Sequence, residues 1–151
     1  MNTTTSMQTA GHLDSRPAPP PTRMEQMEKI VTIGGRTLVA MLFVLAGLAK
    51  ILNPKPFLEH MTHFGVPTFF LPAVIALELG AGLALLMGWR IRDAAGALAI
   101  FCVMTAAIFH YQLWINTERT LLFKDLAIAG GLFVMAANAA ARTRTRGSTS
   151  G

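Results

Sequence analysis

The sequence is short of two kinds of residue, cysteine and charged side chains. It has one cysteine in 151 residues, which excludes a thiol–disulfide relay between two cysteines of the same chain. Only 14% of the residues are charged, whereas 52% are hydrophobic. Soluble domains carry about 25% charged residues. The scarcity of charge therefore favours a membrane protein.

Several familiar cofactor and catalytic motifs are also missing. The sequence has no glycine-rich phosphate loop, no dinucleotide fingerprint and no Ser/His/Asp set. Its four histidines do not form a pair suited to haem ligation, and His60 and His63 are expected to be solvated rather than bound to a metal. No metal site and no cofactor motif are therefore predicted, although a quinone, which needs no fixed motif, stays compatible with the chain.

Four long apolar stretches dominate the remainder. They cover residues 30–52, 68–88, 94–115 and 121–141. About 20 residues suffice to cross about 30 Å of hydrocarbon as a helix. The segment Phe57–Phe64, between the first two stretches, has an apolar stripe interrupted by polar residues, typical of a helix lying in the interface. The predicted fold is an all-α membrane protein, a four-transmembrane-helix bundle with a short interfacial helix between spans one and two.

The two ends of the chain differ in composition from the middle. Residues 1–28 are rich in Thr, Ser, Pro and Gln and are predicted to be a disordered arm. Residues 29–141 form the predicted transmembrane domain, and residues 142–151 a basic, disordered tail.

Basic residues are distributed unevenly between the two sides of the predicted bundle. Four crossings place both termini and the loop at residues 89–93 on one side, with nine of the 13 Lys and Arg residues. The positive-inside rule then predicts that both termini are cytoplasmic. The net charge of +5 is explained by topology and by contact with anionic lipid, so no nucleic-acid partner is expected.

Ionisable residues inside the spans are the most informative feature, because charge is costly in hydrocarbon. Glu78 lies near the middle of span two. Four others lie in one layer, roughly 7–13 Å from the centre toward the outer end if the helices rise about 1.5 Å per residue. They are Lys50, His110, Lys124 and Asp125. Three or four helices are thus predicted to contribute to one polar cluster, with Arg36 alone on the inner side.

Each of these residues also has a purely structural interpretation. Lys50 and Lys124 can extend to the interface, and His110 can be a hydrogen-bonded residue at a helix end. Asp125 can complement the charge at the start of span four. Glu78 cannot reach the interface, so its structural alternative is a pair with Lys50 or Arg36 that fixes helix packing.

The order and spacing of several short motifs resemble the DoxX-like family of small four-helix membrane proteins. The resemblance covers about Gly35 to Ala137, and Asp125 departs from it because the family often has Asn there. The motifs are Arg36, Leu45-Ala46-Gly47-Leu48-Ala49-Lys50, Asn53-Pro54, Gly65-Val66-Pro67, Glu78-Leu79-Gly80-Ala81-Gly82, Gly88-Trp89-Arg90-Ile91-Arg92, His110 and Phe123-Lys124-Asp125-Leu126-Ala127.

The resemblance implies a bacterial inner-membrane protein. Some family members are similar to the membrane subunit of thiosulfate:quinone oxidoreductase, and others are linked to oxidoreductase complexes that handle thiol stress. The leading hypothesis is thus a membrane subunit of a redox complex that engages a quinone or a small thiol or sulfur compound. In it Glu78 and His110 handle protons, while Lys50, Lys124, Asp125 and Arg36 bind the substrate.

A second hypothesis is a non-catalytic membrane partner or assembly protein whose buried charges only fix helix packing. Under either hypothesis the expected partners are the lipid bilayer and a protein subunit, or a second copy of the chain.

Overall fold

The computed structural model describes residues 20–109 and 115–148, with side chains as far as Arg142. The chain divides into two compact units, Met1–Val31 and Thr32–Gly151. The described helices are α1 (Arg23–Leu52), α2 (Lys55–His63), α3 (Leu71–Met87), α4 (Ile91–Phe109) and α5 (Asn116–Ser148), with a 3-10 turn at Thr68–Phe70 before α3.

The predicted fold class is confirmed. Within the described residues there are helices and no strand, and the short helix α2 lies between the first two spans. Four segments are long and apolar enough to cross a membrane: Arg23–Leu52, Thr68–Met87, Ile91–Phe109 and Asn116–Arg142. His110, expected at the end of span three, lies outside the described residues, as does most of the predicted N-terminal arm.

Helices α1 and α5 are longer than the sequence patterns predict. Helix α1 begins at Arg23, so residues 23–28 are helical rather than part of a disordered arm, and α5 continues through the predicted tail as far as Ser148. The start of α1 has a local cause. The Glu25 carboxylate accepts a hydrogen bond from the Thr22 backbone N–H at 2.8 Å, and the Glu25 N–H donates to the Thr22 hydroxyl at 3.3 Å. This reciprocal capping box satisfies two amides that the helix leaves unpaired.

Short segments between the spans reverse the chain with proline and left-handed glycine. Pro54 precedes α2, and Pro72 lies in the first turn of α3, where its missing N–H costs nothing. Gly88 ends α3 at φ +75°, and the Gly88 and Trp89 amides donate to the carbonyls of Leu85 and Ala84. This left-handed cap turns the chain into α4 within three residues.

The bundle core combines several alanines of α4 with leucines of α3, α4 and α5. Ala95, Leu98 and Ala99 of α4 are fully buried, together with Leu85 of α3 and Leu132 of α5. All five belong to one apolar cluster. Alanines along α4 let neighbouring helices approach closely, which is how helices associate when lipid is as apolar as the interface.

Helices α1 and α3 approach each other through two glycines. A Cβ atom added at Gly47 would lie 2.8 Å from Leu79 Cγ. One added at Gly82 would lie 3.3 Å from both the Ala40 carbonyl oxygen and the Val44 backbone nitrogen. Because part of this contact is backbone, side-chain rotation cannot make room for a larger residue at Gly82.

We therefore expect Gly82→Val to separate α1 from α3 and to destabilise the protein by about 1–3 kcal/mol, the usual cost of overpacking a core. The matched control is Gly80→Val on the same helix, where an added Cβ meets nothing within 4 Å. Thermal unfolding in detergent should show a lower Tm for the first variant and little change for the second. Equal effects would contradict the close approach of α1 and α3.

Candidate functional site

The most buried charged group described is the carboxylate of Glu78, which pairs with Lys50. Glu78 is 3% exposed, and its Oε1 and Oε2 accept hydrogen bonds from Lys50 Nζ at 2.8 and 2.7 Å. The Lys50 side chain is 13% exposed. The contact proposed from the sequence between Glu78 and Lys50 is thus present. It compensates for the loss of solvation that a carboxylate suffers at mid-helix.

The two glycines at the contact between α1 and α3 lie beside this ion pair, both on its side toward the start of α1 and the end of α3. Gly47 lies three residues before Lys50 on α1, and Gly82 lies four residues after Glu78 on α3. Residues three or four apart share a helical face. The glycines therefore bring the two backbones together where the charged side chains meet. Their missing side chains leave Lys50 and Glu78 close enough for direct contact.

Helix α2 covers the ammonium group of Lys50. The Phe57 ring centroid lies 4.9 Å from Lys50 Nζ, which is within the range of a cation–π interaction. The Ala46 carbonyl, one turn back along α1, lies 3.5 Å from the same nitrogen, at the long limit of a hydrogen bond. Lys50 Nζ is therefore surrounded by a carboxylate, a backbone carbonyl and an aromatic face drawn from three helices.

An aromatic cluster holds α2 against the end of α4. The His60 ring stacks on Phe109 with centroids 4.9 Å apart, and Phe64 meets Phe109 edge-on at 5.4 Å. Such pairs are worth about 0.5–1.5 kcal/mol beyond the area they bury. His60 is exposed, in line with its expected solvation, and also has an aromatic partner. The cluster fixes the position of α2 and with it the position of Phe57 over the ion pair.

Of the two site residues expected from span four, one is largely buried and the other is exposed. Asp125 has a side chain 17% exposed, while that of Lys124 is 55% exposed, and their charged atoms are 3.5 Å apart. The buried Cys102 thiol of α4 lies within electrostatic range of Asp125, Glu78 and Lys124.

Arg36 is not part of this group. Its guanidinium lies against Gly88, ten residues beyond Glu78, which corresponds to about 15 Å along α3. The structure thus brings together Lys50 and Glu78 and sets Arg36 at the other end of α3. On α5, Asp125 is largely buried and Lys124 is exposed. The position of His110 lies outside the described residues.

One residue near the site was not found from the sequence. Phe57 was assigned only to the apolar stripe of the interfacial helix, and its contact with Lys50 depends on how α2 folds back over α1. The one available signal is its place in the first turn after Pro54-Lys55-Pro56, seven residues beyond Lys50. That signal does not specify a partner.

The chemistry available at this site is hydrogen bonding and proton transfer. The ammonium can donate to a carbonyl oxygen or an oxyanion, and the carboxylate can accept a proton from a neighbouring group. Within the described ranges no three His, Cys, Asp or Glu side chains are close enough to hold a metal ion.

Comparison with known proteins gives a consistent assignment. The DoxX family model matches residues 31–111. The chain is 36% identical to the inner membrane protein YqjF of Escherichia coli (strain K12), over 75% of this chain and 87% of that protein. It is 24% identical to the inner membrane protein YphA of the same strain, over 71% of this chain and 81% of that protein.

A further relative is the uncharacterized protein YdgD of Bacillus subtilis (strain 168), 27% identical over 56% of this chain and 75% of that protein. No solved structure gives a significant match. Together with the four apolar helices, the family match and the named relatives indicate a multi-pass protein of the inner membrane. The chain belongs to the DoxX family.

Proposed function

We propose that this protein is the membrane subunit of a redox complex and that it engages a quinone or a small sulfur compound at the Lys50–Glu78 pair. The observation that carries the proposal is a buried carboxylate, held by two short hydrogen bonds to one lysine, at a junction of three helices. Ionisable groups at membrane depth are rare, and they mark substrate pathways, ion pathways and proton relays.

The roles of the two residues follow from their hydrogen-bonding chemistry. The Lys50 ammonium would donate to a quinone carbonyl or to an oxyanion of a sulfur compound. Glu78 would take up or release the proton that accompanies electron transfer. The electrons would come from a partner redox subunit, because the DoxX chain carries no cofactor motif of its own. His110 remains a prediction for the route of the proton to the outer surface.

Access to Lys50 would require Phe57 to move. The ring occupies the side of the ammonium that the carboxylate and the Ala46 carbonyl leave free. A quinone carbonyl oxygen would then accept a hydrogen bond from the ammonium on the side that the ring vacates. Residues of α2 would therefore form part of the binding site, which opens toward the end of the bundle where α1 meets α2.

A second candidate function is a non-catalytic membrane partner or assembly protein. The observation that favours it is that Lys50 and Glu78 already satisfy each other, with two nearby glycines that fit the two helices together. A pair that only fixes packing would be replaceable by two apolar residues, whereas a binding site would not.

Single and double substitutions at Lys50 and Glu78 measure how much the ion pair contributes to the stability of the fold. Lys50→Met leaves Glu78 buried without a cation and should cost about 3 kcal/mol, the lower end for a broken buried pair. Glu78→Gln should cost less because the amide still accepts a hydrogen bond. The double variant Lys50→Met/Glu78→Leu should recover most of the stability lost in Lys50→Met. Thermal unfolding in detergent measures all three, with Lys124→Met as the exposed-cation control.

Ligand binding decides between the two functions. Purified wild-type protein should be stabilised by decylubiquinone or by thiosulfate, and the double variant should lose that stabilisation although it is folded. Lys124→Met should keep it. If the double variant regains stability and still binds both probes as the wild type does, the pair serves packing and the redox proposal fails.

The orientation is proposed from charge. Nine of the 13 basic residues lie on the side of the termini and the loop between α3 and α4, so both termini should be cytoplasmic. Fluorescent or phosphatase reporters fused to each terminus should report cytoplasm. A reporter inserted after Gly65, between α2 and α3, should report the periplasm. A periplasmic signal from either terminus would reverse the assignment.

A further inference from the structure

Arg36 occupies a distinct position at the end of α3. A Cβ atom added at Gly88 would lie 3.2 Å from its Nη1 and 3.4 Å from its Nη2. A glycine suits this position for two reasons. Its φ of +75° is a left-handed conformation that other residues rarely adopt, and the absence of a Cβ atom leaves room for the guanidinium. The cation therefore lies where the last carbonyls of α3 give the helix its negative end.

The protein does not provide a full set of partners for this cation. Arg36 Nε is buried and has no hydrogen-bond partner. Across the described part of the chain, no carboxylate forms an ion pair with Arg36. Asp93, in the first turn of α4 at the same end of the bundle, is engaged by Arg90 at 2.7 and 2.8 Å. The two terminal nitrogens are not sealed from the surface, unlike Nε. A half-buried guanidinium without an anion costs free energy that an external anion would recover.

The surroundings of Arg36 match the boundary between lipid headgroups and hydrocarbon. Met87 is 77% exposed and Trp89 is 68% exposed, on either side of Gly88. Tryptophan is enriched at this depth, where its ring is half in lipid. Arg92 is exposed one residue into α4 and adds a second cation at the same end. A ligand here would meet cations at its head and apolar side chains along its body.

We propose that Arg36 binds the phosphate of an anionic phospholipid, with the acyl chains lying along Met87 and Trp89. The planar guanidinium fork matches two phosphate oxygens at once, which a lysine cannot do. The exposed apolar neighbours favour a lipid over free phosphate. This site lies about 15 Å along α3 from Glu78, so the proposal does not depend on the function of the Lys50–Glu78 pair.

The test uses the full chain, purified in a nonionic detergent and stripped of lipid. Dioleoylphosphatidylglycerol, dioleoylphosphatidylcholine or inorganic phosphate is added, and binding is followed by native mass spectrometry and by Tm. Phosphatidylglycerol should bind and raise the Tm of the wild type more than the other two. Arg36→Gln should bind it about tenfold less tightly or worse, because a charge-assisted hydrogen bond contributes about that much or more. The affinity of Arg36→Lys for phosphatidylglycerol should lie between those of the wild type and Arg36→Gln.

The control is Lys124→Gln, which removes an exposed cation of α5 outside this site and should keep the binding. Without lipid, Arg36→Gln should change the Tm only slightly, because it loses the attraction of the helix end but no hydrogen-bonded or ion-paired partner. If Arg36→Gln fails to fold, the comparison of Arg36→Lys with the wild type decides. Equal affinity in wild type and the Arg36 variants would overturn the site. Equal stabilisation by inorganic phosphate would overturn its assignment to lipid, and so would the absence of any phosphatidylglycerol effect.

Discussion

The structure depends on the need to place one carboxylate in a membrane-spanning helix. Glu78 lies near the middle of α3, where neither water nor a lipid headgroup is within reach of its side chain. It is tolerated because Lys50 comes from α1 to within 2.7 Å. The two helices also touch beside this pair, and Gly47 and Gly82 make that close contact possible. Packing and electrostatics therefore constrain the same few residues: a larger side chain at either glycine would also pull the charges apart.

The architecture was predictable because hydrocarbon imposes simple rules. Span number, the interfacial helix and the candidate partner for Glu78 all followed from runs of apolar residues and from the cost of buried charge. Helix ends were less predictable. The polar composition of residues 23–28 suggested disorder, although Thr22 and Glu25 form a capping box that begins α1 earlier. The capping box involves only two residues, so the average composition of the longer polar segment did not indicate it.

Depth along the membrane could be estimated from the sequence, but direction around each helix could not. Lys124 and Asp125 are adjacent in sequence and similar in depth, yet one side chain is 55% exposed and the other 17%. Consecutive residues point about 100° apart on a helix, so a layer of charges becomes one site only when each faces inward. The same reasoning explains Phe57. Its contact with Lys50 is set by the fold of α2 and the ring stacking of His60 on Phe109, which involve long separations in sequence.

Lys50 and Arg36 show how the two ends of the bundle differ. Both cations lie on α1, separated by 14 residues and hence by about 21 Å. Lys50 is enclosed by groups of the protein itself, whereas Arg36 has an unsatisfied nitrogen against a helix end. A cation with internal partners must exchange one of them before it can hold a ligand, and that exchange can be coupled to movement of α2. A cation without partners needs no such exchange, so a ligand there adds to the folded structure without rearranging it. The arrangement around Lys50 suits a site that binds and releases its ligand. The arrangement around Arg36 suits a lipid that stays bound.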